Sequence, residues 1–336
     1  MINVGFLGAG EIAKTHAAAV AQVEDARLVA VYDTQAERAG ALAAQYGAAL
    51  CDSMDQLLRF PGLDLLYILT PPHVHADQIV AAADAGIPIL CEKPITLSLA
   101  EADRAIAAAR TRGVPLMTGQ SHRYHPLAAQ ARELLLNGSL GDFVAAWSHR
   151  LTALRVSPGS WLSRRAVGGG LALQYALHDL DWERWLAGEA AGVSAQEAHT
   201  NPEIDIEDNL WALVQFQNGG SGSVGVSWTC QDPWTERGVI GSRGNLRILI
   251  QRRMLGQTAG GRIIEVDLGD DYDWFDVFVR ESRDAIQRVR SGQPFAITGE
   301  DGRATLELGL AVQKAAMTHR MISLPIHETI DQEVTP

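Results

Sequence analysis

The fold is decided by the opening stretch Ile2-Asn3-Val4-Gly5-Phe6-Leu7-Gly8-Ala9-Gly10-Glu11-Ile12-Ala13, where an apolar run meets two glycines. The apolar run predicts a buried strand, and the residues after the glycines predict a helix. In a strand–turn–helix of this kind Gly8 permits a tight turn and Gly10 leaves room for a pyrophosphate. Ala13 lets the helix pack closely on the strand. The stretch therefore predicts a phosphate-binding turn at the start of an α/β domain.

A second apolar run, residues 28–32, ends in Asp33. A carboxylate about twenty residues beyond the glycines, at a strand tip, is placed to accept hydrogen bonds from both hydroxyls of an adenosine ribose, and it would repel a 2′-phosphate. The helix start at Glu11 and Ile12 adds unpaired N–H groups and the positive end of a dipole. These features predict NAD as the cofactor, with NADP the weaker candidate. A glycine turn in some other α/β protein is the alternative, which the full strand–helix–acid context disfavours.

Length and composition bound the remaining possibilities. The 336 residues exceed most single domains, so we expect two domains. A net charge of −12 and a pI of about 5.3 argue against nucleic acid and anionic membrane surfaces as partners. No cationic signal region is present, and no uncharged apolar run approaches the roughly eighteen residues that span a bilayer. Three distant cysteines, in no metal or redox spacing, indicate thiols in a reducing compartment, so we expect a cytoplasmic protein.

Strand and helix patterns alternate from residue 1 to about residue 118, which predicts a doubly wound parallel sheet. Beyond Gly119 strands follow one another across short glycine turns, which predicts a mainly antiparallel sheet with accompanying helices. The expected strands of this second part are residues 143–150, 209–217, 222–228 and 246–250. We therefore divide the chain into a dinucleotide-binding domain, residues 1–119, and a second α/β domain, residues 120–336.

Lys93 is the first candidate for proton transfer. It follows the buried strand predicted at residues 87–91 and lies between Glu92 and the conformationally fixed Pro94. Oxidation of an alcohol needs a group that takes the hydroxyl proton while hydride leaves. A desolvated lysine can do this, or can donate a hydrogen bond to the reacting oxygen. An ordinary solvated lysine is the alternative.

A second candidate site begins at the triple glycine, residues 168–170, whose backbone a ligand can approach closely. The helix predicted after it carries Gln174 and His178 four residues apart on one face. Asp181 would orient the His178 ring. An opposing apolar stripe should face the core: Leu173, Leu177 and Leu180. The alternative is a core histidine bonded to its own helix neighbours.

Four further residues are candidate substrate contacts. Trp161 and Arg164 precede the triple glycine, and Arg123 and Tyr124 follow the sixth predicted strand. An aromatic ring can cover the apolar face of a sugar, while arginine binds hydroxyls or a carboxylate. Loop packing with solvated charge is the alternative.

Two histidine pairs raise the question of a metal site: His73 with His75, and His122 with His125. No cysteine or carboxylate nearby completes a coordination set for either pair. We therefore expect no metal.

Together these motifs resemble the Gfo/Idh/MocA family, named for glucose-fructose oxidoreductase and inositol dehydrogenase. The matching motifs are, in chain order, residues 8–13, Thr70-Pro71-Pro72 with His75, Glu92-Lys93-Pro94, residues 122–126, residues 168–170 with His178, and residues 299–303. The resemblance implies a Rossmann domain followed by an α/β domain with an open, mainly antiparallel sheet. It also implies a nicotinamide cofactor, a sugar or cyclic polyol substrate, and a homo-dimer or homo-tetramer formed through the outer face of that sheet.

The resemblance assigns Lys93 and His178 to the catalytic site. It also implies that five residues line the cofactor: Thr70, Pro71, His75, Glu92 and Gln120. One departure matters, because many relatives have an aspartate where this chain has Gln174, and glutamine cannot take a proton. We therefore expect His178 or Lys93 alone to act as the acid/base, with Gln174 orienting the substrate.

The function implied is an NAD-dependent oxidoreductase that transfers hydride between nicotinamide and a secondary alcohol of a sugar, an inositol or a sugar derivative. Two alternatives remain. One is a glycosidase-like enzyme that retains NAD and uses transient oxidation, and the other is a non-catalytic dinucleotide-binding sensor.

Overall fold

The computed structural model describes residues 1–154 and 156–326. The chain forms two compact units. Among these residues, the first unit contains 1–125, 166–168 and 273–306, and the second contains 126–154, 156–165, 169–272 and 307–326. The first unit thus includes residues that the expected boundary at 119/120 assigns to the second domain. The functional division at that boundary stays a prediction.

The first unit is built on a six-stranded parallel sheet. Its strands are β1 (Ile2–Leu7), β2 (Ala26–Tyr32), β3 (Ala49–Leu50), β4 (Leu65–Ile68), β5 (Ile89–Glu92) and β6 (Leu116–Gly119). The strand order is β3-β2-β1-β4-β5-β6, which is the order of a Rossmann fold. Strands β4 and β5 are buried throughout, as expected for a parallel sheet covered on both faces. The prediction of a doubly wound parallel sheet is confirmed.

Helices of the first unit follow the strands. They are α1 (Glu11–Ala21), α2 (Ala36–Tyr46), α3 (Met54–Leu58), α4 (His75–Asp84), α5 (Leu99–Arg112) and α9 (Asp276–Ser291). Serine N-caps begin α3 and α5, where Ser53 and Ser98 each accept a hydrogen bond from the backbone N–H three residues on. Helix α9 belongs here because Ala285 and Ile286 are buried in the same core as β1 and α1.

The second unit is built on a nine-stranded sheet. Its strands are β7 (Phe143–Ala153), β8 (Ala190–Ala198), β9 (Asn209–Phe216), β10 (Ser221–Ser227), β11 (Thr229–Gly241), β12 (Asn245–Leu249), β13 (Arg253–Gln257), β14 (Ile263–Asp267) and β15 (Ile322–Ser323). The order is β14-β13-β12-β11-β7-β10-β9-β8-β15. Strands β7 and β10 pair in parallel, and the other neighbouring pairs are antiparallel. The prediction of a mainly antiparallel sheet is confirmed.

One face of this sheet is buried. Along β9, Leu210 and Val214 are buried while Trp211 and Leu213 are exposed, so the residues alternate between the two faces. The remaining helices are α6 (Pro126–Leu136), α7 (Arg165–Gly168), α8 (Leu177–Ala187) and α10 (Gly299–Thr318), which begins in the first unit and ends in the second. Within residues 1–154 and 156–326, no helix has both the length and the apolar character needed to cross a bilayer.

The four strands expected after residue 143 are present within three residues of their predicted ends, as β7, β9, β10 and β12. Strands β8, β11, β13, β14 and β15 were not expected. Strand β8 consists mainly of alanine, glycine and polar residues, and β11 contains Pro233, so neither has strong strand propensity. Strand β8 pairs with β9 and β11 pairs with β7, and these interstrand hydrogen bonds stabilise strands that the local sequence does not favour.

Candidate functional site

The glycine turn after β1 has the geometry that its sequence predicts. Gly8 has a φ of +107°, and a Cβ at this position would lie 2.8 Å from the backbone carbonyl of Leu69, so glycine is required on both counts. Gly10 is the N-cap of α1, and a Cβ there would meet nothing within 4 Å. Ala13 is fully buried. Open space beside unpaired helix N–H groups fits a pyrophosphate.

Asp33 follows β2 and is held against this turn. Its Oδ2 accepts a hydrogen bond from the backbone N–H of Ala9 at 2.7 Å, and its Oδ1 accepts one from Gln35 at 2.8 Å. Oδ1 is also 3.5 Å from Thr34 Oγ1, whereas Oδ2 keeps a further lone pair for a ribose hydroxyl. The structure therefore brings Asp33 to the glycine turn, and its contact with a ribose stays a prediction.

His75 connects the loops that follow β4 and β5. Its Nε2 lies 2.8 Å from the carbonyl oxygen of Thr70, and its Nδ1 lies 3.0 Å from that of Pro94. The ring is buried, which lowers the pKa of His75 against the opposing effect of the two carbonyls. A cofactor contact was predicted for Thr70, Pro71 and His75, and it stays a prediction. Through these two contacts the His75 ring links the loop after β4 to the loop after β5.

Lys93 begins the loop after β5 and is partly exposed. Its backbone N–H donates to Glu92 Oε2 at 3.0 Å, and the Lys93–Pro94 peptide is cis. The other carboxylate oxygen, Glu92 Oε1, lies 2.9 Å from His16 Nε2. Burial would raise the pKa of Glu92, but the hydrogen bond from His16 and the charges of His16 and Lys93 together lower it. An ionised, buried carboxylate therefore stands beside the lysine.

His16 was missed in the sequence analysis. It lies on α1, fully buried, 76 residues before its partner Glu92. The sequence did offer one indication of a polar contact in the core: His16 is a histidine among the alanines on the buried face of the helix that follows the glycine turn.

Gln120 directly follows β6 and is 1% exposed. Neither its amide nitrogen nor its amide oxygen has a hydrogen-bond partner within the described part of the chain. A Cβ on the preceding Gly119 would lie 3.5 Å from Glu92 Cδ, so this strand end is next to the Lys93 loop. Unpartnered buried amides are rare and point to a group that satisfies them, which fits the predicted cofactor contact.

Arg123 and Tyr124 make contacts inside the first unit. Arg123 is nearly buried, with Nη1 3.3 Å from Asp301 Oδ1, and Tyr124 donates its hydroxyl hydrogen to Asp284 at 2.8 Å. These contacts are structural. The predicted substrate contacts of both residues stay predictions.

The two histidines that flank this pair pack on an indole ring. His122 meets Trp274 edge-on with a centroid distance of 4.8 Å, and His125 stacks on it at 5.0 Å. Within the described residues, no group of three or more histidine, cysteine, aspartate or glutamate side chains is arranged to hold a metal ion.

The closing motif, residues 299–303, forms the start of α10. The backbone N–H of Thr298 donates to Asp301 at 3.1 Å, and the N–H of Asp301 donates back to Thr298 Oγ1 at 3.2 Å, which is a reciprocal helix cap. A Cβ on Gly302 would lie 2.2 Å from Thr118 Oγ1, so glycine lets the helix pack directly on β6. The motif thus joins α10 to the first unit.

The triple glycine includes a residue that packs against a buried carboxylate. Gly170 has a φ of +81°, and a Cβ there would lie 2.8 Å from Glu207 Oε2. A buried carboxylate therefore occupies the space that a side chain at position 170 would fill, and the predicted approach of a ligand to the glycine backbone stays a prediction. Glu207 also accepts hydrogen bonds from Ala172 N at 3.1 Å and from Arg165 Nη2 at 2.7 Å. Burial raises the pKa of Glu207, although Arg165 opposes the rise.

Gln174 lies in a π-helical segment, Ala172–Ala176, and His178 lies in α8 directly after it. A single regular helix was predicted. Arg150 Nη2 donates to the Tyr175 carbonyl at 2.5 Å, an acceptor that a regular α-helix uses internally. Gln174 is nearly buried and His178 is partly exposed. The predicted apolar stripe is confirmed as buried at Leu173, Leu177 and Leu180.

Asp179, next to His178, is fully buried and heavily hydrogen-bonded. It accepts hydrogen bonds from Ser148 Oγ at 2.5 Å, Arg150 Nε at 2.8 Å and Arg237 Nη2 at 2.6 Å. Burial would raise the pKa of Asp179, but the two guanidinium groups lower it, so the carboxylate is ionised.

Trp161 is partly exposed and Arg164 is exposed, and their predicted substrate contacts stay predictions.

With this geometry established, two family models match the chain. The model of an oxidoreductase family with an NAD-binding Rossmann fold matches residues 2–120, and that of the GFO/IDH/MocA C-terminal domain matches residues 128–247. The chain belongs to the GFO/IDH/MocA oxidoreductase family. This assignment confirms the resemblance stated from the motifs, the oxidoreductase class and NAD as the cofactor.

Individual relatives align over nearly the whole length of this GFO/IDH/MocA chain. A myo-inositol 2-dehydrogenase of Thermotoga maritima is 27% identical over 96% of the chain and 98% of the relative. A 1,5-anhydro-D-fructose reductase of Ensifer adhaerens is 30% identical over 94% of the chain and 96% of the relative. The solved complex of a levoglucosan dehydrogenase with NADH and levoglucosan has a TM-score of 0.90 at 21% identity, covering 97% and 100% of the two chains, and so shares the fold.

Proposed function

We propose that the protein is an NAD-dependent dehydrogenase acting on a secondary alcohol of a sugar, an inositol or a sugar-derived compound. One observation carries the proposal: Lys93 stands at the tip of β5 with the ionised Glu92 beside it, on the sheet whose first two strands present the glycine turn and Asp33. Ligands of open α/β sheets bind at such strand tips. Membership of an oxidoreductase family supports the same conclusion.

The residues that would hold the dinucleotide follow from the geometry. The glycine turn and the N–H groups of Glu11 and Ile12 would bind the pyrophosphate, and Asp33 would bind the ribose. The remaining cofactor contacts are proposed at Thr70, Pro71, His75, Glu92, Lys93 and Gln120. When bound, the nicotinamide supplies the hydride acceptor for oxidation and the hydride donor for reduction.

The protein's own task is to manage the proton. As hydride leaves the carbinol carbon, the hydroxyl proton passes to Lys93 Nζ or to a ring nitrogen of His178, and a carbonyl is left. The Gln174 amide can hydrogen-bond a neighbouring hydroxyl but cannot take that proton. Trp161 and Arg164 are proposed to contact the apolar face and the polar groups of the substrate, with Arg123 and Tyr124 as further contacts.

Two other functions are less well supported. A glycosidase-like enzyme would retain NAD and produce no net NADH, and a sensor would bind NAD without turnover. The relatives above carry the names of two dehydrogenases and a reductase, which favours net hydride transfer.

The test is a screen of NADH formation with sugars, inositols and their acids at alkaline pH, where oxidation is favoured. Fluorescence titrations with NADH and NADPH accompany it. We expect NADH formation with at least one polyol and tighter binding of NADH than of NADPH, because Asp33 repels a 2′-phosphate. Absence of turnover across the panel with intact NADH binding would favour the sensor, and NAD that co-purifies without net NADH formation would favour the glycosidase-like enzyme.

We also propose that the protein is a homo-dimer or homo-tetramer that associates through the outer face of the nine-stranded sheet. That face exposes Trp211, Leu213 and Trp234, and exposed apolar patches on sheets mark association sites. Light scattering after size exclusion should show an oligomer that Leu213→Glu dissociates. Leu136→Glu on α6 is the matched control, because Leu136 is 66% exposed and Leu213 is 65% exposed. A monomeric wild type, or equal effects of the two variants, would contradict this proposal.

A cytoplasmic location is proposed from the cysteines. Cys51 and Cys91 are buried, and burial raises the pKa of both thiols. Protonated, inaccessible thiols suit a compartment in which cysteines stay reduced.

A further inference from the structure

His16 stands at an unusual place for a polar side chain. It lies in the second turn of α1 and is fully buried. Its ring packs edge-on against Tyr67 of β4 and Phe278 of α9, both at a centroid distance of 5.4 Å. A phenylalanine would pack equally well among these rings, whereas a buried imidazole loses free energy unless its polar atoms are hydrogen-bonded.

The one hydrogen bond the imidazole makes is directed at Glu92. Nε2 lies 2.9 Å from Glu92 Oε1, while Nδ1 has no hydrogen-bond partner within the described residues. Because a carboxylate only accepts, Nε2 carries the hydrogen. The second oxygen, Glu92 Oε2, accepts the backbone N–H of Lys93 at 3.0 Å. A continuous chain of contacts therefore runs from His16 through Glu92 to the backbone of Lys93.

The opposite end of the same loop is held in a comparable way. His75 approaches the carbonyl oxygen of Pro94 at 3.0 Å and that of Thr70 at 2.8 Å. The cis Lys93–Pro94 unit thus has a fixed group on each side. A reacting group needs this, since misplacement by about 1 Å can cost a hundredfold in rate.

Resting on the proposed role of Lys93, we propose that His16 is a positioning residue for the reaction: its hydrogen bond keeps the Glu92 carboxylate in place, and that carboxylate fixes the Lys93 backbone and supplies a negative charge beside the lysine. His16 touches neither substrate nor cofactor in this role. It acts through Glu92, which is why the carboxylate stays ionised in spite of its burial.

Two substitutions separate the hydrogen bond from the packing. His16→Phe keeps an aromatic ring between Tyr67 and Phe278 but has no donor, and His16→Gln keeps an amide donor near the position of Nε2 but has no ring. With the polyol identified by the screen, we expect kcat of His16→Phe to fall about tenfold, and that of His16→Gln to stay within about threefold of wild type. The dissociation constant for NADH should change less than about twofold in both, and thermal unfolding monitors folding.

Two further readouts distinguish positioning from a general loss of structure. The pH profile of kcat should move to lower pH in Glu92→Gln, because an ammonium that loses a neighbouring negative charge is easier to deprotonate. His16→Phe should move it in the same direction, because the buried Glu92 carboxylate is protonated more easily once it loses the hydrogen bond from His16. The titratable groups that face this region are Glu92, Lys93, Tyr67, His75, Cys91 and Glu281 of α9. In a double-mutant cycle, His16→Phe should have little further effect once Glu92→Gln is present.

Each outcome decides something specific. Wild-type kcat in His16→Phe, an equal loss in His16→Gln, or multiplicative losses in the double variant would overturn the role of His16. Failure of the proposed function gives a different result: wild-type protein would then form no NADH with any compound of the screen. Wild-type turnover in Lys93→Met would refute the role of Lys93, on which that of His16 rests. A large loss in Lys93→Met with none in His16→Phe refutes only the positioning role.

Discussion

The two candidate reacting residues, Lys93 in the first unit and His178 in the second, are each adjacent in the chain to a buried carboxylate. Glu92 precedes Lys93, and Asp179 follows His178. Burial opposes ionisation of both acids, and in both cases nearby positive groups and hydrogen bonds lower the pKa nonetheless. In both regions, therefore, the residue next to the candidate reacting residue is a buried carboxylate that hydrogen bonds and nearby positive charge keep ionised.

The regions differ in how many groups anchor the acid. The side chain of Glu92 has one side-chain partner described here, His16, at 2.9 Å. Asp179 has three, with distances of 2.5, 2.8 and 2.6 Å, namely Ser148, Arg150 and Arg237. One substitution at His16 leaves Glu92 with only its hydrogen bond from the Lys93 backbone, whereas Asp179 keeps a guanidinium partner after either arginine is lost. We infer that the Lys93 loop is the more adjustable and the His178 helix the more rigid of the two.

The largest expected effect is on turnover. Lys93→Met removes the ammonium, and His178→Gln removes the imidazole. Whichever group transfers the proton should lose about a thousandfold in kcat when replaced, because general acid–base catalysis contributes about 10²–10⁴-fold. Steady-state kinetics at several pH values will measure both.

Gln174→Ala is the internal comparison for this experiment. It should mainly raise KM, by about tenfold, since it removes a hydrogen bond to the substrate and no proton acceptor. Unchanged turnover in both Lys93→Met and His178→Gln would contradict the assignment of the acid/base to either residue.

The second effect is on stability, and it should be unequal between the regions. Asp179→Asn leaves two buried guanidinium groups without their carboxylate, which should cost about 3–5 kcal/mol of unfolding free energy. Glu92→Gln removes the charge from a single hydrogen-bonded pair and should cost about 1–2 kcal/mol. Urea denaturation followed by circular dichroism will compare them. A greater loss in Glu92→Gln would show that the number of anchors does not decide rigidity here.

What the sequence predicted is local. The roles of Gly8 and Asp33 depend on a strand, a turn and a helix that follow one another in the chain, so spacing alone locates them. The Lys93 loop was found for the same reason. Its position at the end of a buried strand is visible as an apolar run that stops at Glu92.

What the sequence could not predict depends on distant partners. His16 and Glu92 are 76 residues apart, and Ala172 and Glu207 are 35 apart. No periodicity connects such pairs, so the packing of Glu207 against Gly170 was not predicted. The π-helical segment is equally non-local, because Arg150 of β7 takes one of its carbonyls.

A separate expected effect, on the pH dependence of stability, concerns a second buried carboxyl group in each region. Burial raises the pKa of Glu281 well above its ordinary value of 4.5, and the charges of Glu92 and Asp284 raise it further. Burial and Asp179 raise the pKa of Glu183 in the same way, but there Arg237 opposes the rise. Because the folded state holds these protons more tightly than the unfolded state does, stability is lost as the pH rises above about 4.5, by up to about 1.4 kcal/mol per pH unit for each group.

Glutamine stays neutral at every pH, so each substitution removes this loss. The unfolding free energy of Glu281→Gln relative to wild type should therefore increase between pH 5 and pH 9, and that of Glu183→Gln should increase less, because Arg237 already offsets part of the cost of ionisation. Any pH-independent cost of the amide shifts the whole curve without changing its slope, so the slope is the diagnostic quantity in urea titrations. If the difference in unfolding free energy between Glu281→Gln and wild type did not change with pH, the Glu281 carboxyl would titrate alike in the folded and unfolded chain. The difference between the two regions, one with an imidazole and the other with two guanidinium groups, would then not extend to Glu281 and Glu183.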